Sequence, residues 1–172
     1  MHRRNGPADT FLSLERAHQK TLKNLNCFSE ILRNLRFEGR SQWSKNISRA
    51  GKLLLFFENK AVGHMRLEEN ALFPFLQSHI PRVQPLIDLL LSEHEDFRNS
   101  LKEMKQVFGC FKKKKADTVQ TIHALNAKAA YFTCLLRSHL WAESQVLYSV
   151  ASKELRPDEK KLLAKKMERR TT

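Results

Sequence analysis

Apolar residues recur at alternating steps of three and four through four long stretches of the chain, the spacing of a helix face that packs into a bundle. In the first stretch the series is Phe11, Leu14, His18, Thr21, Leu25, Phe28, Leu32 and Leu35. In the third it is Ile87, Leu90, His94, Phe97, Leu101, Met104, Phe108 and Phe111, each 76 positions after its counterpart. The second and fourth stretches match in the same way. Ala50, Leu54, Phe57, Ala61, His64, Glu68, Ala71 and Phe75 return 75 positions later as Leu125, Ala129, Phe132, Leu136, His139, Glu143, Val146 and Val150. The chain therefore reads as a duplicated helical hairpin.

The breaks between stretches are short: Gly39 and Ser41, then Pro81, then the run Lys112 to Lys115 before Asp117 and Thr118. Short connections favour antiparallel neighbours. The expected fold is all-α, an up-down-up-down antiparallel four-helix bundle over about residues 10–154 of a single domain spanning the chain. Pro157, Asp158 and Glu159 suit the first turn of a short fifth helix over about residues 157–170, with Leu162, Leu163 and Met167 on one side. Pro74 falls inside the second stretch, where it is expected to bend that helix or end it early.

Composition agrees with this picture. Only 5 Gly and 5 Pro in 172 residues, with 41% hydrophobic and 28% charged residues, leave little material for sheet turns or long disordered linkers. No apolar run approaches the roughly 18 residues of a membrane span, and the charged start from Met1 to Asp9 leads into no signal-like apolar segment. Cys27, Cys110 and Cys134 are odd in number and widely spaced, which argues for a reducing cytoplasm rather than a disulfide framework. The 31 Lys and Arg against 18 Asp and Glu give +13, a field able to draw in anions, nucleic acid or an acidic membrane surface.

The chemistry lies at the seam. Six positions that the pattern reserves for apolar residues hold His18, His64, Glu68, His94, His139 and Glu143. Such groups occur in cores when they pair, hydrogen-bond or bind metal. In the second and fourth stretches the His and Glu are four apart, about 40° around the helix and about 6 Å along it, so both face one point. Only two of the 7 histidines have a glutamate four residues later, and the repeat relates these two. Four imidazoles and two carboxylates about a pseudo-twofold axis make a dinuclear site, with a donor set that suits iron, manganese or zinc. His18 and His64 would hold one ion, His94 and His139 the other, with Glu68 and Glu143 between them. Without metal, the same residues would have to form His–Glu hydrogen-bonded pairs.

The stretch His64-Met-Arg-Leu-Glu68-Glu69-Asn-Ala-Leu72-Phe73-Pro74 resembles the H-x-x-x-E-E and L-F-P pattern of the hemerythrin-like, or HHE cation-binding, family. His139-Leu-Trp-Ala-Glu143 is a second, shorter match, and His18 and Glu93-His94 complete the family order from about Phe11 to about Lys153. The resemblance implies two non-haem irons with an oxo or hydroxo bridge, reacting with dioxygen, nitric oxide or peroxide, in oxygen handling or in oxidative or nitrosative stress. An enzyme of this kind would be a di-iron oxidoreductase acting on peroxide or nitric oxide. Oxygen-carrying members have a further histidine four after the third and an aspartate five after the fourth; those positions here are Arg98 and Ser144. The four-His, two-Glu set is similar to proteins that repair iron centres and to some mycobacterial hemerythrin-like proteins, so iron donation is an alternative function. The repair proteins usually carry a cysteine-bearing segment before the bundle, whereas here the bundle is expected to start almost at once, at about residue 10, which counts against the repair reading.

Several neighbours have open roles. Leu14, Thr21, Ala61, Leu90, Phe97 and Leu136 would give the site an apolar lining, which simple bundle packing explains equally. Glu15 and Glu95 are placed either to support an imidazole N–H or on a solvated face. Glu69 is free to cap, bridge or point outward, and Trp141 and Tyr148 either pack or carry an electron. His2, His79 and His123 lie off the seam and read as surface or locally bonded residues. A ferritin-like site needs Glu-x-x-His on two helices, and only Glu15-x-x-His18 fits. A basic module gripping phosphate backbones or acidic lipids would rest on Lys112 to Lys115 and on Lys160 to Arg170, with no DNA-binding pattern beside them.

Overall fold

The computed structural model describes residues 9–37, 42–112 and 118–169. Gly39, Ser41, His2, most of the Lys112 to Lys115 run and Arg170 lie outside them. Helix α1 is Asp9–Phe37. Helix α2 is one continuous rod over residues 43–79, in which α-helical pieces Trp43–Phe56, Val62–Leu67 and Phe73–His79 are joined by π-helical turns at Phe57–Ala61 and Glu68–Leu72. Helix α3 is Gln84–Lys112, and α4 is a second rod over residues 118–154, with a π turn at Glu143–Leu147 between Thr118–Ala142 and Tyr148–Glu154. Helix α5 is Pro157–Glu168. Each rod packs on its neighbours in sequence and α1 also packs on α4, closing the up-down-up-down bundle.

The breaks follow from local chemistry. Ile80 leaves the helical region with φ −135° and ψ 70°, as a residue before proline tends to, and Pro81–Val83 form a 3₁₀ turn into α3. Leu155 and Arg156 are extended, and the Arg156 N–H donates to Glu159 Oε2 at 2.8 Å, so the first turn of α5 is capped as it begins. Leu163 and Met167, four apart, are buried against the Glu68–Leu72 turn of α2. Leu162, expected on the same side, points outward at 55% exposure, because one residue is about 100° of helical rotation.

Of the two outcomes expected at Pro74, the early end does not occur. The helix neither stops nor shortens there but runs on to His79. The Phe73 N–H reaches back five residues to the Glu68 carbonyl, so the proline falls at the opening of a new α-helical piece, where its missing N–H does least harm.

The fourth seam also departs from its expected register. Val146 is 39% exposed and Val150 is half-buried, whereas Leu147, Tyr148 and Ala151 are buried. The π turn inserts one residue into the helical repeat and advances every later inward position by one. Its repeat mate at Glu68–Leu72 does the same, bringing Leu72 and Leu76 inward beside Ala71 and Phe75.

Two apolar clusters result. One is built on Leu25, Phe28, Phe57, Phe97 and Phe132, with ring centroids 4.8 to 6.4 Å apart. The other contains Leu14, Leu72, Ile87, Leu90, Leu147 and Leu163. Each bundle helix passes from one cluster to the other at its polar seam residues, so the candidate site is stoppered at both ends. No helix among the described residues is long and apolar enough to cross a membrane.

Truncating Leu163 to Ala should destabilise the protein by about 2–5 kcal/mol in chemical denaturation, while Leu162→Ala should stay within about 0.5 kcal/mol.

Candidate metal centre

All six predicted seam residues converge. His18 Nε2 lies 2.8 Å from His64 Nε2, and His94 Nε2 lies 3.0 Å from His139 Nε2. Glu143 Oε2 is 3.2 Å from His18 Nε2 and 3.3 Å from His139 Nε2. Glu68 places Oε1 3.2 Å from His64 Nε2 and Oε2 3.8 Å from His94 Nε2. Two overlapping donor groups emerge, His18, His64, Glu68 and Glu143 in one, His94, His139 and Glu143 in the other.

Both glutamates are fully buried, and Glu68 Oε2 and both oxygens of Glu143 accept no hydrogen bond. An ionised carboxylate stripped of water and of donors costs several kcal/mol unless a cation faces it. The imidazoles make the same demand. Glu69 Oε1 accepts from His94 Nδ1 at 2.8 Å and Glu93 Oε2 from His139 Nδ1 at 2.9 Å. Since carboxylates accept and do not donate, both rings carry a proton on Nδ1 and turn Nε2 inward. Two Nε2 lone pairs 3.0 Å apart require a cation or a proton between them.

Without metal, a proton takes that place. Burial works against charging His139, but Glu143, Glu93 and Glu68 outweigh it and push its pKa up to about 10. His94 moves the other way, lowered by burial and by His139, and accepts from its partner. In the other pair burial again opposes protonation, but Glu68 raises His64. Burial would raise Glu143, yet His139 and His18 hold it well below the usual carboxylate range. The cluster is a cation site in either state, and its neutral-imidazole and carboxylate donors fit a divalent metal.

A family model for the hemerythrin HHE cation-binding domain matches residues 12–151. The chain belongs to this family. A comparison with curated proteins gives no match. Hemerythrin-type domains bind metal ions, typically iron, and the His/Glu cluster supplies donors suited to one.

The hemerythrin-type cluster also uses residues that the seam pattern passed over. Glu69, Glu93 and Ser144 each adjoin a cluster residue in sequence and, about 100° further round the helix, reach the imidazole of the next helix. Glu69 on α2 serves His94 on α3, Glu93 on α3 serves His139 on α4, and Ser144 Oγ on α4 lies 2.9 Å from His18 Nδ1 on α1. Arg98 donates to Glu69 Oε1 at 2.7 Å and pins that carboxylate. Tyr148 is buried and stacked on His18 at 5.3 Å, and its hydroxyl donates to Glu68 Oε1. Burial and the two cluster glutamates push its phenol well above the ordinary value.

Trp141 is 63% exposed and takes no part. Glu15 and Glu95 are exposed, which removes the Glu-x-x-His reading and leaves both on a solvated face. His79 packs on Phe75 and bonds locally, and His123 is exposed. Leu14, Thr21, Ala61, Leu90, Phe97 and Leu136 are all buried.

Because folding raises the pKa of His139, the stability it contributes is complete below about pH 6.5 and is lost as pH rises through about 10. His94 has its effect below 6.5, outside that window. Metal-free protein should therefore lose thermal stability from pH 6.5 to 10, and divalent metal should bind more tightly over the same range, with proton release measurable by calorimetry in buffers of different ionisation enthalpy.

Proposed function

We propose that the chain holds two non-haem irons between His18, His64, Glu68, His94, His139 and Glu143, and that it binds or reduces dioxygen, nitric oxide or peroxide there. The observation that carries this reading is the set of three buried, unbonded carboxylate oxygens facing four inward imidazole nitrogens. A pair of irons, when bound, supplies open coordination and exchangeable electrons for a small oxidant.

The protein's own residues contribute the rest. His18 with His64 and His94 with His139 face one another in pairs, and Glu68 and Glu143 each lie near both pairs. The apolar clusters above and below restrain water and favour small uncharged ligands. Tyr148 holds a proton at its hydroxyl oxygen beside Glu68, a donor ready for a ligand that gains negative charge. Arg98 and Ser144 occupy the positions where the oxygen-carrier pattern has further ligands. Both turn instead to outer hydrogen bonds, which favours redox turnover over reversible carriage.

His64→Ala and Glu143→Ala should each sharply lower the iron retained after reconstitution and desalting, from two per chain, while His123→Ala retains both. Equal retention in all three would remove the site. In the optical spectrum of the reduced, oxygen-free protein, a band that comes and goes with one cycle of oxygen would mark reversible binding. Oxidation that does not reverse would mark turnover, and no change at all would mean another metal or no di-iron centre.

A further inference from the structure

The two halves of the cluster repeat each other in their inner donors and differ in what stands behind them. The repeat relates Glu69 to Ser144, Glu93 to Ala17 and Phe73 to Tyr148, at offsets of 75, 76 and 75 positions. For His94 and His139, both Nδ1 partners are carboxylates, and Phe73 stacks on His94 with centroids 5.6 Å apart. For His18, the Nδ1 partner is the Ser144 hydroxyl, and Tyr148 stacks where Phe73 does in the other half. Ala17 carries no acceptor, and His64 Nδ1 has no partner among the described residues.

We infer that the two metal positions are unequal: the His94/His139 half takes the first ion, and the His18/His64 half holds the exchangeable one. This rests on the di-iron reading above.

The inner donors do not decide the matter, because each half has two imidazoles and Glu68 and Glu143 lie near both. The outer groups do. A carboxylate behind Nδ1 fixes the tautomer, orients the ring and makes Nε2 a stronger donor, and losing such a partner typically weakens metal binding about 10–100-fold. Arg98 holds Glu69 in place for that task. A serine hydroxyl can donate or accept, so Ser144 leaves the His18 tautomer open.

Tyr148 adds a competitor. Its hydroxyl bonds Glu68 Oε1, the oxygen nearest His64, and lies 3.1 Å from His18 Nε2, so an ion entering this half must displace contacts that the other half does not have. Access points the same way. His94 and His139 are buried, whereas His64 is 13% exposed and lines a surface cavity of about 560 Å³ with Asn59, Lys60 and Gly63.

The test is an oxygen-free titration of the full chain with ferrous iron, followed by calorimetry, with bound iron counted after desalting. Two steps are expected, the first tighter by at least about tenfold. His64→Ala should keep one ion at the first-step affinity, and Glu93→Gln should weaken the first step about 10–100-fold while leaving the second in place. Tyr148→Phe, which copies the Phe73 side, should tighten the second step alone. Circular dichroism checks that each variant is folded. Two steps of equal affinity, or a Glu93→Gln effect confined to the second step, would overturn the inference while leaving the di-iron reading intact. A wild-type chain that binds no iron would overturn both.

Discussion

Two carboxylates sealed from water, with three of their four oxygens unbonded, set the terms for the whole bundle. A charge in that position must be faced by positive charge, and the four imidazoles provide it either as protonated rings or as ligands to a cation. The apolar clusters on either side make the requirement stringent, because they exclude the water that would otherwise relieve it. The same burial strengthens each electrostatic contact in the cluster, so the pairing that keeps the fold tolerable also tunes the site. Stability and chemistry draw here on one set of atoms.

Much of this was legible along the chain because helical period and duplication are regular signals. The three-and-four spacing placed all four bundle helices, and the six polar residues interrupting an apolar seam stood out against it. The structure brings those six together. What spacing cannot convey is a change of period. The π turn at Glu143–Leu147 moves the inward face from Val146 and Val150 to Leu147, Tyr148 and Ala151. A fixed step kept Tyr148 off the expected seam, and it made Pro74 look like an early stop where the helix runs on to His79.

The groups behind the imidazoles were hidden for a different reason. Glu69, Glu93 and Ser144 sit beside cluster residues in sequence, yet each serves a histidine on another helix. Their roles depend on how helices face one another across the bundle, which no single-helix pattern contains. Glu15 and Glu95 have the same chemistry at similar distances in sequence and are exposed. Duplication made the six inner residues conspicuous because both copies hold them, and it made the outer ones inconspicuous because the copies differ.

The π turns at Glu68 and Glu143 bear on how the gene can drift. Each works as one extra residue within a helix, and everything beyond it is phased to that insertion. A substitution nearby alters one side chain and leaves the phase alone. Losing a single codon between Glu143 and Leu147 would let the rod return to plain α-helix with the segment after it still facing inward, because the turn already accommodates the one residue that is lost. Tyr148, Ala151 and the helix α5 that follows would keep their places, so a one-residue deletion is absorbed at this turn, whereas the same loss in a plain α-helical stretch of the rod would swing everything beyond it by about 100°.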